Sequence, residues 1–279
     1  MKSSLGRKSI SLITLAFLTL MSAVILFPIW MTLINSLKSR GEMLNNMLAL
    51  PVVLRFENYI YAFQKTNYLN SLLNTVIITL AGLAGIVLLA SMAGYKLSRT
   101  KTRLSNVIFS LFVMSMLIPF YSIMITLYRI IINLSLDDSL LGLGLIYTGL
   151  GVPMAIFLFH GFVKSIPLEL DEAAVIDGCD DYRLFFRIIF PLLHPITATI
   201  IILNGLWMWN DFLLPLLVLS DSRKHTILIA ITALFGQYGN NEWTAILATL
   251  TAGMLPAIIF YLLLQKNIVK GIADGAIKG

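Results

Sequence analysis

Charged residues are spread unevenly along the chain and leave six long stretches that contain none of them. These uncharged windows cover residues 9–37, 66–95, 104–128, 139–163, 188–210 and 243–265. A helix needs about 20 predominantly apolar residues to cross the hydrocarbon core of a bilayer, and each window is long enough. The pattern therefore predicts six membrane-spanning helices, with approximate limits 11–36, 70–95, 105–128, 140–164, 195–219 and 244–265.

The first window follows three basic residues, as the apolar core of a secretory signal peptide does. Its apolar run is much longer than the roughly 7–15 residues of such a core, and no small-residue cleavage site follows it. We therefore expect a retained helix.

Composition supports an all-α membrane protein with a single transmembrane domain over residues 1–279. The chain is 58% hydrophobic and only 12% charged, whereas about a quarter of the residues of soluble proteins are charged. The single cysteine, Cys179, excludes a disulfide within the chain.

The basic residues indicate how the chain is oriented. Thirteen Lys and Arg residues lie in the two terminal segments and in the connections after the second and fourth predicted helices, against seven on the opposite side. Cytoplasmic segments of membrane proteins carry the excess of Lys and Arg. Both termini are therefore predicted to be cytoplasmic, in a multi-pass protein embedded in membrane lipid. This bias also accounts for the net charge of +6, so no nucleic-acid partner is expected.

The connection 165–194, between the fourth and fifth predicted helices, is unusually polar. Pro167 suits the first turn of a short helix, where a missing N–H costs nothing, and Gly178 can end that helix in the left-handed conformation. The connection contains six of the 14 acidic residues of the chain: Glu169, Asp171, Glu172, Asp177, Asp180 and Asp181.

A second short helix is predicted in the same connection. Asp180 or Asp181 can cap it, and it runs through Ile189 until Pro191 ends it. Together with the small surface offered by Ala173 and Ala174, two short helices would form a projection that fits a groove on another protein.

The string from Ser165 to Gly178, SIPLELDEAAVIDG, resembles the coupling-loop (EAA) motif of ABC-importer permeases, and the spacing to Ile188 and Pro191 matches as well. The wider stretch resembles the maltose-type carbohydrate-uptake branch. This resemblance implies a permease fold of the MetI-like type, in which the coupling loop 165–194 transmits the closure of a separate ATPase. It assigns ATPase coupling to Glu169, Glu172, Ala173, Ala174, Asp177, Gly178, Ile188 and Pro191.

The same resemblance implies the partners of the chain. They are a second homologous permease subunit in a heterodimer, two ATPase subunits and an extracellular sugar-binding protein, in a bacterial or archaeal cytoplasmic membrane. The substrate would be a carbohydrate, and an oligosaccharide is favoured. No Walker A pattern occurs in the sequence, so ATP and Mg²⁺ are expected on the partner ATPase and no cofactor, metal or catalytic residue on this chain.

The fifth predicted helix contains a polar and aromatic string around Asp211, the one acidic residue well inside a predicted span. A carboxylate within a membrane usually faces a cavity or a partner. A sugar path is one interpretation, because aromatic rings stack on sugars and amides bond hydroxyl groups. The alternative is that Asp211 caps a helix break while the tryptophans anchor or pack the helix. The residues predicted for the path are Asn204, Trp207, Asn210 and Asp211.

The last external connection, 220–242, has a flexible polar tip. In maltose-type permeases the equivalent loop reaches into the binding protein, and the alternative is a plain solvated loop. The resemblance assigns binding-protein contact to Gly236, Gln237, Tyr238, Gly239 and Asn240.

Two other classes of protein fit the sequence less well. An ion-coupled secondary transporter would carry several intramembrane carboxylates and internal inverted repeats, whereas the sequence has one such Asp and no repeat. A membrane-embedded enzyme would group its reactive residues. His160, His194 and His225 are instead scattered, and no H-E-x-x-H or G-x-S-x-G pattern occurs.

Overall fold

The computed structural model describes the backbone of residues 2–236 and 240–276 and the side chains of residues 13–236 and 240–263. Every regular element in these ranges is helical. The helices are α1 (Lys2–Ser36), α2 (Arg40–Asn45), α3 (Glu57–Lys65), α4 (Tyr68–Arg99), α5 (Arg103–Ser115), α6 (Phe120–Asn133), α7 (Leu140–Val163), α8 (Glu169–Ile176), α9 (Asp181–Leu192), α10 (His194–Trp209), α11 (Leu213–Val218), α12 (Ile227–Ala230) and α13 (Trp243–Ala276).

The predicted all-α membrane class is confirmed. Within the described residues, four helical segments are long and apolar enough to cross a bilayer: Ile13–Ser36, Tyr68–Arg99, Leu140–Val163 and Trp243–Leu263. Two further pairs of helices, each bent at a short break, bring the number to six if each pair counts as one span.

The third predicted helix, 105–128, is not continuous. The structure divides this stretch into α5 and α6, whose axes differ by 104°. Pro119 lies at the start of α6 in an extended conformation, with ψ of 134°. Proline disfavours helical geometry in the residue before it and cannot donate an N–H to the preceding turn, so the helix breaks here.

The fifth predicted helix, 195–219, is also interrupted. α10 ends at Trp209 and α11 restarts at Leu213. Pro215 explains the break, because inside a continuous helix its ring would clash with the carbonyl four residues earlier. As the third residue of α11 it occupies a position whose N–H needs no helical partner.

The contacts group the chain into two compact units. The first unit comprises the residues through Tyr68 together with Ile231–Leu255. In this unit α1 makes few contacts: only 6% of its most apolar membrane-length window is buried. The end of α1 is tied down by Asn58, whose side-chain amide donates to the carbonyls of Ser36 and Lys38 at 2.8 Å each.

The second unit comprises Leu69–Ala230 and the residues from Pro256 on, and it holds the extended hydrophobic core. Within it, α4 packs closely against α7. A Cβ at Gly85 would lie 2.3 Å from the Thr148 hydroxyl, and one at Gly94 would lie 2.7 Å from the Phe159 Cβ. The small residues of α4 therefore serve close helix contact, as small-xxx-small spacing predicts.

Candidate functional site

The coupling loop forms a short helix, α8, followed by the longer α9. Pro167 precedes the first residue of α8, Glu169, by two positions, so it lies outside the first turn in which it was predicted. Gly178 has φ of 78°, the predicted left-handed conformation, which carries no Cβ penalty in glycine. Asp180 caps α9 by accepting the backbone N–H of Arg183 at 2.8 Å.

Asp171, on the inner face of α8, is held by two residues from the end of α4. Its carboxylate accepts the Tyr95 hydroxyl at 2.5 Å. It also accepts Nε and Nη2 of Arg99, at 3.3 and 2.8 Å. The same guanidinium donates to the Ile166 carbonyl at 3.0 Å. We call Tyr95, Arg99 and Asp171 the coupling anchor.

The coupling anchor is a largely buried ion pair. The side chains of Arg99 and Asp171 are 16% and 10% exposed. Removing one partner of a fully buried pair typically costs about 3–5 kcal/mol, because the other charge is left without water or a counter-charge. The neighbouring pair of Lys96 and Asp181 is 70% and 82% exposed. An exposed pair of this kind contributes at most about 1 kcal/mol, so the anchor is the stronger link between α4 and the coupling loop.

The anchor residues were not among the predicted site residues. A signal was available, since Tyr95 and Arg99 are four residues apart and therefore share a helical face. What the sequence did not reveal is which acidic residue of the coupling loop they would meet. The Tyr95 ring also lies 5.5 Å from that of Phe185, so the same residue contacts α9.

One face of α8 is buried and the other is exposed. Asp171 and Ala174, three residues apart, face the protein interior. Ala173 and Ala174 consequently lie on different faces, and only Ala173 is available to a partner, in contrast to the small joint surface that was predicted. The remaining predicted coupling residues of this region are exposed: Glu169, Glu172, Asp177 and Gly178.

The exposed face of α8 also carries large apolar side chains. Leu170, Val175 and Ile176 are 42%, 59% and 85% exposed. Glu169 and Glu172 lie on the same exposed surface. An apolar patch bordered by charged residues is the arrangement of a protein–protein interface.

α9 contains a π-helical turn over Leu184–Ile189. The Phe190 N–H donates to the Phe185 carbonyl, five residues earlier. Such a widened turn moves the preceding carbonyls away from the ring of Pro191, which therefore lies within α9 and does not end it as predicted. Ile188 is half-buried and Pro191 is exposed, so only the proline is open to a partner.

The residues predicted for a sugar path lie in different surroundings. Asn204 is 3% exposed, and its Nδ2 donates to the Ile200 carbonyl at 3.0 Å. Its Oδ1 would lie 2.8 Å from a Cβ at Gly151, so it is packed between α10 and α7. Asn210 is exposed and donates to the Leu206 carbonyl at 2.8 Å.

Asp211 lies at the break between α10 and α11. Its Oδ1 accepts the Leu213 N–H at 3.0 Å, which caps α11, and its Oδ2 accepts the Tyr147 hydroxyl at 2.9 Å. The Tyr147 ring meets that of Trp207 edge-on at 5.3 Å. Because α10 ends at Trp209, Asp211 does not lie on the same continuous helix as Asn204 and Trp207. Tyr147, which the sequence analysis missed, joins Trp207 to Asp211 instead.

An apolar cavity of about 200 Å³ lies beside these residues. Its lining comes from α4, α10 and α13 and includes Val76, Thr79, Leu83, Gly205, Trp209 and Phe260. In the described part of the chain, the four predicted path residues do not line this cavity. This cavity therefore does not correspond to the predicted path.

A second polar network lies at the other end of α4. Asp138 accepts the Asp221 N–H at 2.9 Å and the Lys224 ammonium at 2.6 Å. Asn74, on α4, donates to the Arg223 carbonyl at 2.8 Å. We call Asn74, Asp138, Asp221 and Lys224 the loop network, since it fixes the segment after α11 to α4.

The loop network lowers the pKa of its carboxyl groups. The Asp221 N–H and the Lys224 ammonium hold the pKa of Asp138 below its ordinary value. The Arg223 side chain and backbone N–H lower the pKa of Asp221 to about 2. Both carboxylates are therefore charged at neutral pH.

Of the five residues predicted to contact a binding protein, the structure describes two, Gly236 and Asn240. The Gly236 N–H donates to the Asn241 side chain at 3.2 Å, and the Asn240 side chain accepts an N–H of Arg40 at 2.7 Å. These contacts lie within the first unit and connect the last loop to α2. Three predicted residues lie outside the described residues: Gln237, Tyr238 and Gly239.

Reactive side chains are dispersed in the described part of the chain. Within it, no group of three or more His, Cys, Asp or Glu residues could hold a metal ion. The His160 ring stacks on that of Phe109 at 3.8 Å, and Cys179 is half-buried without a disulfide.

The sequence was also compared with known proteins. Residues 86–274 match the family model described as "Binding-protein-dependent transport system inner membrane component". The chain is 40% identical over 252 residues to the "Probable starch degradation products transport system permease protein AmyC" of Thermoanaerobacterium thermosulfurigenes, covering 90% of this chain and 91% of that protein. It is 35% identical over 271 residues to the melibiose/raffinose/stachyose import permease protein MelC of Bacillus subtilis, covering 95% and 98% of the two chains.

The fold resembles that of a solved transporter. A chain in the crystal structure of a bacterial ABC transporter that imports the acidic polysaccharide alginate superposes with a TM-score of 0.79. The match covers 93% of this chain and 96% of that one, at 21% sequence identity, so it supports the fold alone.

Proposed function

The chain belongs to the family of inner membrane components of binding-protein-dependent transport systems, and from this premise we propose that it is the permease subunit of a carbohydrate importer driven by ATP. The proposed substrate class is an oligosaccharide. Its support is the named substrates of the relatives, which include starch degradation products and melibiose, raffinose and stachyose.

The coupling loop carries the proposal. α8 presents exposed apolar and acidic side chains on one face, while its other face is fastened to α4 through Asp171 and Arg99. To transmit force, a surface must be accessible to a partner and rigidly attached to the rest of the protein. We therefore assign docking of an ATPase subunit to the exposed face of α8, with Ile176 and Glu172 at its centre.

Movement of α8 would reach the spans through the coupling anchor. Arg99 ends α4, and α4 packs on α7 at Gly85 and Gly94 with no room for a side chain. Tightly packed helices shift as bodies because their interfaces do not deform continuously. Closure of the ATPase would thus displace α4 and α7 together.

For the sugar path we propose Trp207, Asn210 and Asp211, joined by Tyr147. Trp207 is 41% exposed and offers a ring face, while Asn210 is exposed and offers an amide. Asn204 serves helix packing in this proposal, since it is buried between α10 and α7.

The remaining partners follow from the family and the charge pattern. A second homologous permease would complete a heterodimer, and two ATPase subunits would bind and hydrolyse ATP with Mg²⁺. An extracellular binding protein would deliver the sugar near Gly236 and Asn240. The basic bias supports cytoplasmic termini and a cytoplasmic coupling loop, in the cytoplasmic membrane of a bacterium or archaeon.

Substitution of the docking face tests the proposed coupling. Ile176→Asp places a charge in the most exposed apolar position of α8, and we expect the purified complex to lose its ATPase subunits. Ser165→Asp adds the same charge outside α8 and serves as the matched control, with both variants compared at equal abundance in the membrane. Retention of the ATPase subunits by Ile176→Asp, with normal uptake of labelled oligosaccharide, would refute the proposal.

Thiol labelling tests the orientation independently. In sealed cells, a Gly239→Cys variant should react with a membrane-impermeant reagent, whereas the native Cys179 should not. The reverse pattern would invert the proposed topology.

A further inference from the structure

Residues 47–56, between α2 and α3, form a loop whose large side chains point outward. Arg55 is its only charged residue. Val52 is 86% exposed and Leu50 is 69% exposed. The large apolar side chains that are more than half exposed are Met47, Leu48, Leu50, Val52, Val53, Leu54 and Phe56. We call residues 47–56 the apolar loop. A contiguous apolar surface of this kind marks a binding site for a protein or a membrane.

Both ends of the apolar loop form hydrogen bonds with residues at or just after the end of α1. The Met47 carbonyl accepts the Asn35 side-chain amide at 3.0 Å and the Lys38 ammonium at 3.2 Å. At the other end, the Arg55 N–H donates to the Leu37 carbonyl at 2.9 Å. All three anchoring residues lie within two positions of Ser36, where α1 ends.

Polar groups on the inner side of the loop hold its backbone in place. The Lys38 side chain is almost fully buried and points at backbone carbonyls, and burial lowers its pKa. Glu42 accepts the Val52 N–H at 3.1 Å. Hydrogen bonds from Ser39 keep the pKa of Glu42 below its ordinary value, and the largest contribution comes from the Ser39 backbone N–H. The polar groups thus point inward, which leaves the apolar side chains as the outer surface.

The attachment to α1 identifies what covers that surface. α1 is apolar and long enough to cross a bilayer, and it ends at Ser36 just before charged residues resume at Lys38, so we place the boundary of the bilayer near this end. A loop hydrogen-bonded to residues 35–37 lies at the same level. Tyr61, 44% exposed on α3, is of the kind found at such boundaries.

We propose that the apolar loop is embedded in the interfacial layer of the bilayer and binds lipid. By the proposed topology this is the extracytoplasmic leaflet. Aliphatic side chains and Phe56 would enter the region of the upper acyl chains, while Arg55 extends toward the headgroups. The loop would fix the depth of the end of α1 in the bilayer.

Site-directed fluorescence in the assembled complex tests this inference. In a Cys179→Ser background, single cysteines at Leu50, Val52 and Leu54 are labelled with an environment-sensitive dye, and the complex is placed in nanodiscs. The quenchers are phosphatidylcholine spin-labelled near its headgroup and aqueous iodide. Positive controls are single cysteines at Ile29, Trp30 and Leu33, exposed positions of α1 within about 11 Å of its end at Ser36 and thus near the level of the spin label. The negative control is Arg223→Cys, whose native side chain is 86% exposed in a polar segment.

We expect the dyes on the apolar loop to lose fluorescence to the spin-labelled lipid and to be protected from iodide, unlike the dye at residue 223. Quenching by iodide alone would show a solvated loop and overturn the inference. Protection from both quenchers would show that a protein covers the loop, and would overturn it as well. None of these outcomes depends on ATPase coupling, so failure here is distinguishable from failure of the proposed function.

Discussion

α4 carries a polar network at each of its ends, and the two networks are built differently. The coupling anchor at Arg99 and the loop network at Asn74 are 25 residues apart, or about 38 Å along a helix. The ion pair of the anchor is largely buried, with side chains 16% and 10% exposed. The ion pair of the loop network, Lys224 with Asp138, is shorter at 2.6 Å, but its side chains are 37% and 31% exposed.

The difference shows that burial, more than distance, decides what an ion pair contributes. Water competes for the exposed pair, so the loop network is held mainly by several modest hydrogen bonds to backbone groups. If one partner of the buried pair is lost, water does not replace it and the remaining charge stays buried. In the proposed coupling the anchor would transmit force to α4, whereas the loop network keeps a connecting segment in place.

Breaking the anchor should have the largest effect. Arg99→Ala would leave the Asp171 carboxylate buried without its counter-charge. We expect a destabilisation approaching about 3 kcal/mol, the lower end of the range for buried pairs, since some exposure remains. Uptake of labelled oligosaccharide should be lost, with ATP hydrolysis no longer stimulated by substrate. Both are measured in the reconstituted complex.

Lys96→Ala is the matched control for that experiment, because it removes an exposed pair from the same turn of α4. It should change stability by less than about 1 kcal/mol. The charge exchange Arg99→Asp with Asp171→Arg should recover part of the lost coupling. Equal effects of Arg99→Ala and Lys96→Ala would contradict the distinction between buried and exposed pairs.

Changing Gly178 tests whether the orientation of α8 matters as much as its anchor. Proline is restricted to negative φ, so Gly178→Pro cannot adopt the observed 78°. We expect uptake to be abolished in protein that still reaches the membrane. Gly178→Asn is the control, since asparagine tolerates the left-handed region, and it should retain most of the activity. Normal transport by the proline variant would show that the coupling loop does not need this geometry.

The hydrogen bond from Tyr147 to Asp211 is an intermediate case, with one buried partner and one half-buried partner. Tyr147→Phe removes the hydroxyl group while Leu213 still binds the carboxylate. Hydrogen bonds to charged groups contribute about 1.5–3 kcal/mol, so a moderate loss of thermal stability is expected. If these residues form the sugar path, Asp211→Asn should weaken transport while leaving subunit assembly intact on size-exclusion chromatography. Dissociation of the complex would instead make Asp211 a structural residue.

Acidification should have the smallest effect of these changes, and it should act on the loop network by neutralising its carboxylates. The folded-state pKa values of Asp138 and Asp221 are depressed, so their stabilisation is present above the unfolded value of about 4 and is lost as the pH falls. For Asp221 the loss extends to about pH 2. The melting temperature should therefore fall less between pH 5 and pH 3 in Asp138→Asn than in the wild-type complex. Parallel curves would show that the loop network does not contribute through these charges.

Much of the fold was predictable because the bilayer imposes simple rules on sequence. Uncharged windows indicated apolar helices long enough to cross a bilayer, and Gly178 indicated the left-handed end of α8. The break at Pro119 was missed, although a proline marks it, whereas the break at Asp211 was one of two alternatives that the sequence left open. Hydropathy averages over a window and does not register the loss of a single backbone hydrogen bond.

The sequence by itself determined the class of protein, the location of the coupling loop and the family resemblance. These depend on local properties: apolar length, charge bias and the spacing of Pro, Gly and acidic residues. Only the tertiary structure decided which partners those residues have. Asp171 meets Arg99 from 72 positions away, Tyr147 reaches Asp211 across 64, and Ala174 turns inward while Ala173 stays outside. Such pairings depend on how helices pack against one another, and a pattern along one chain does not contain that information.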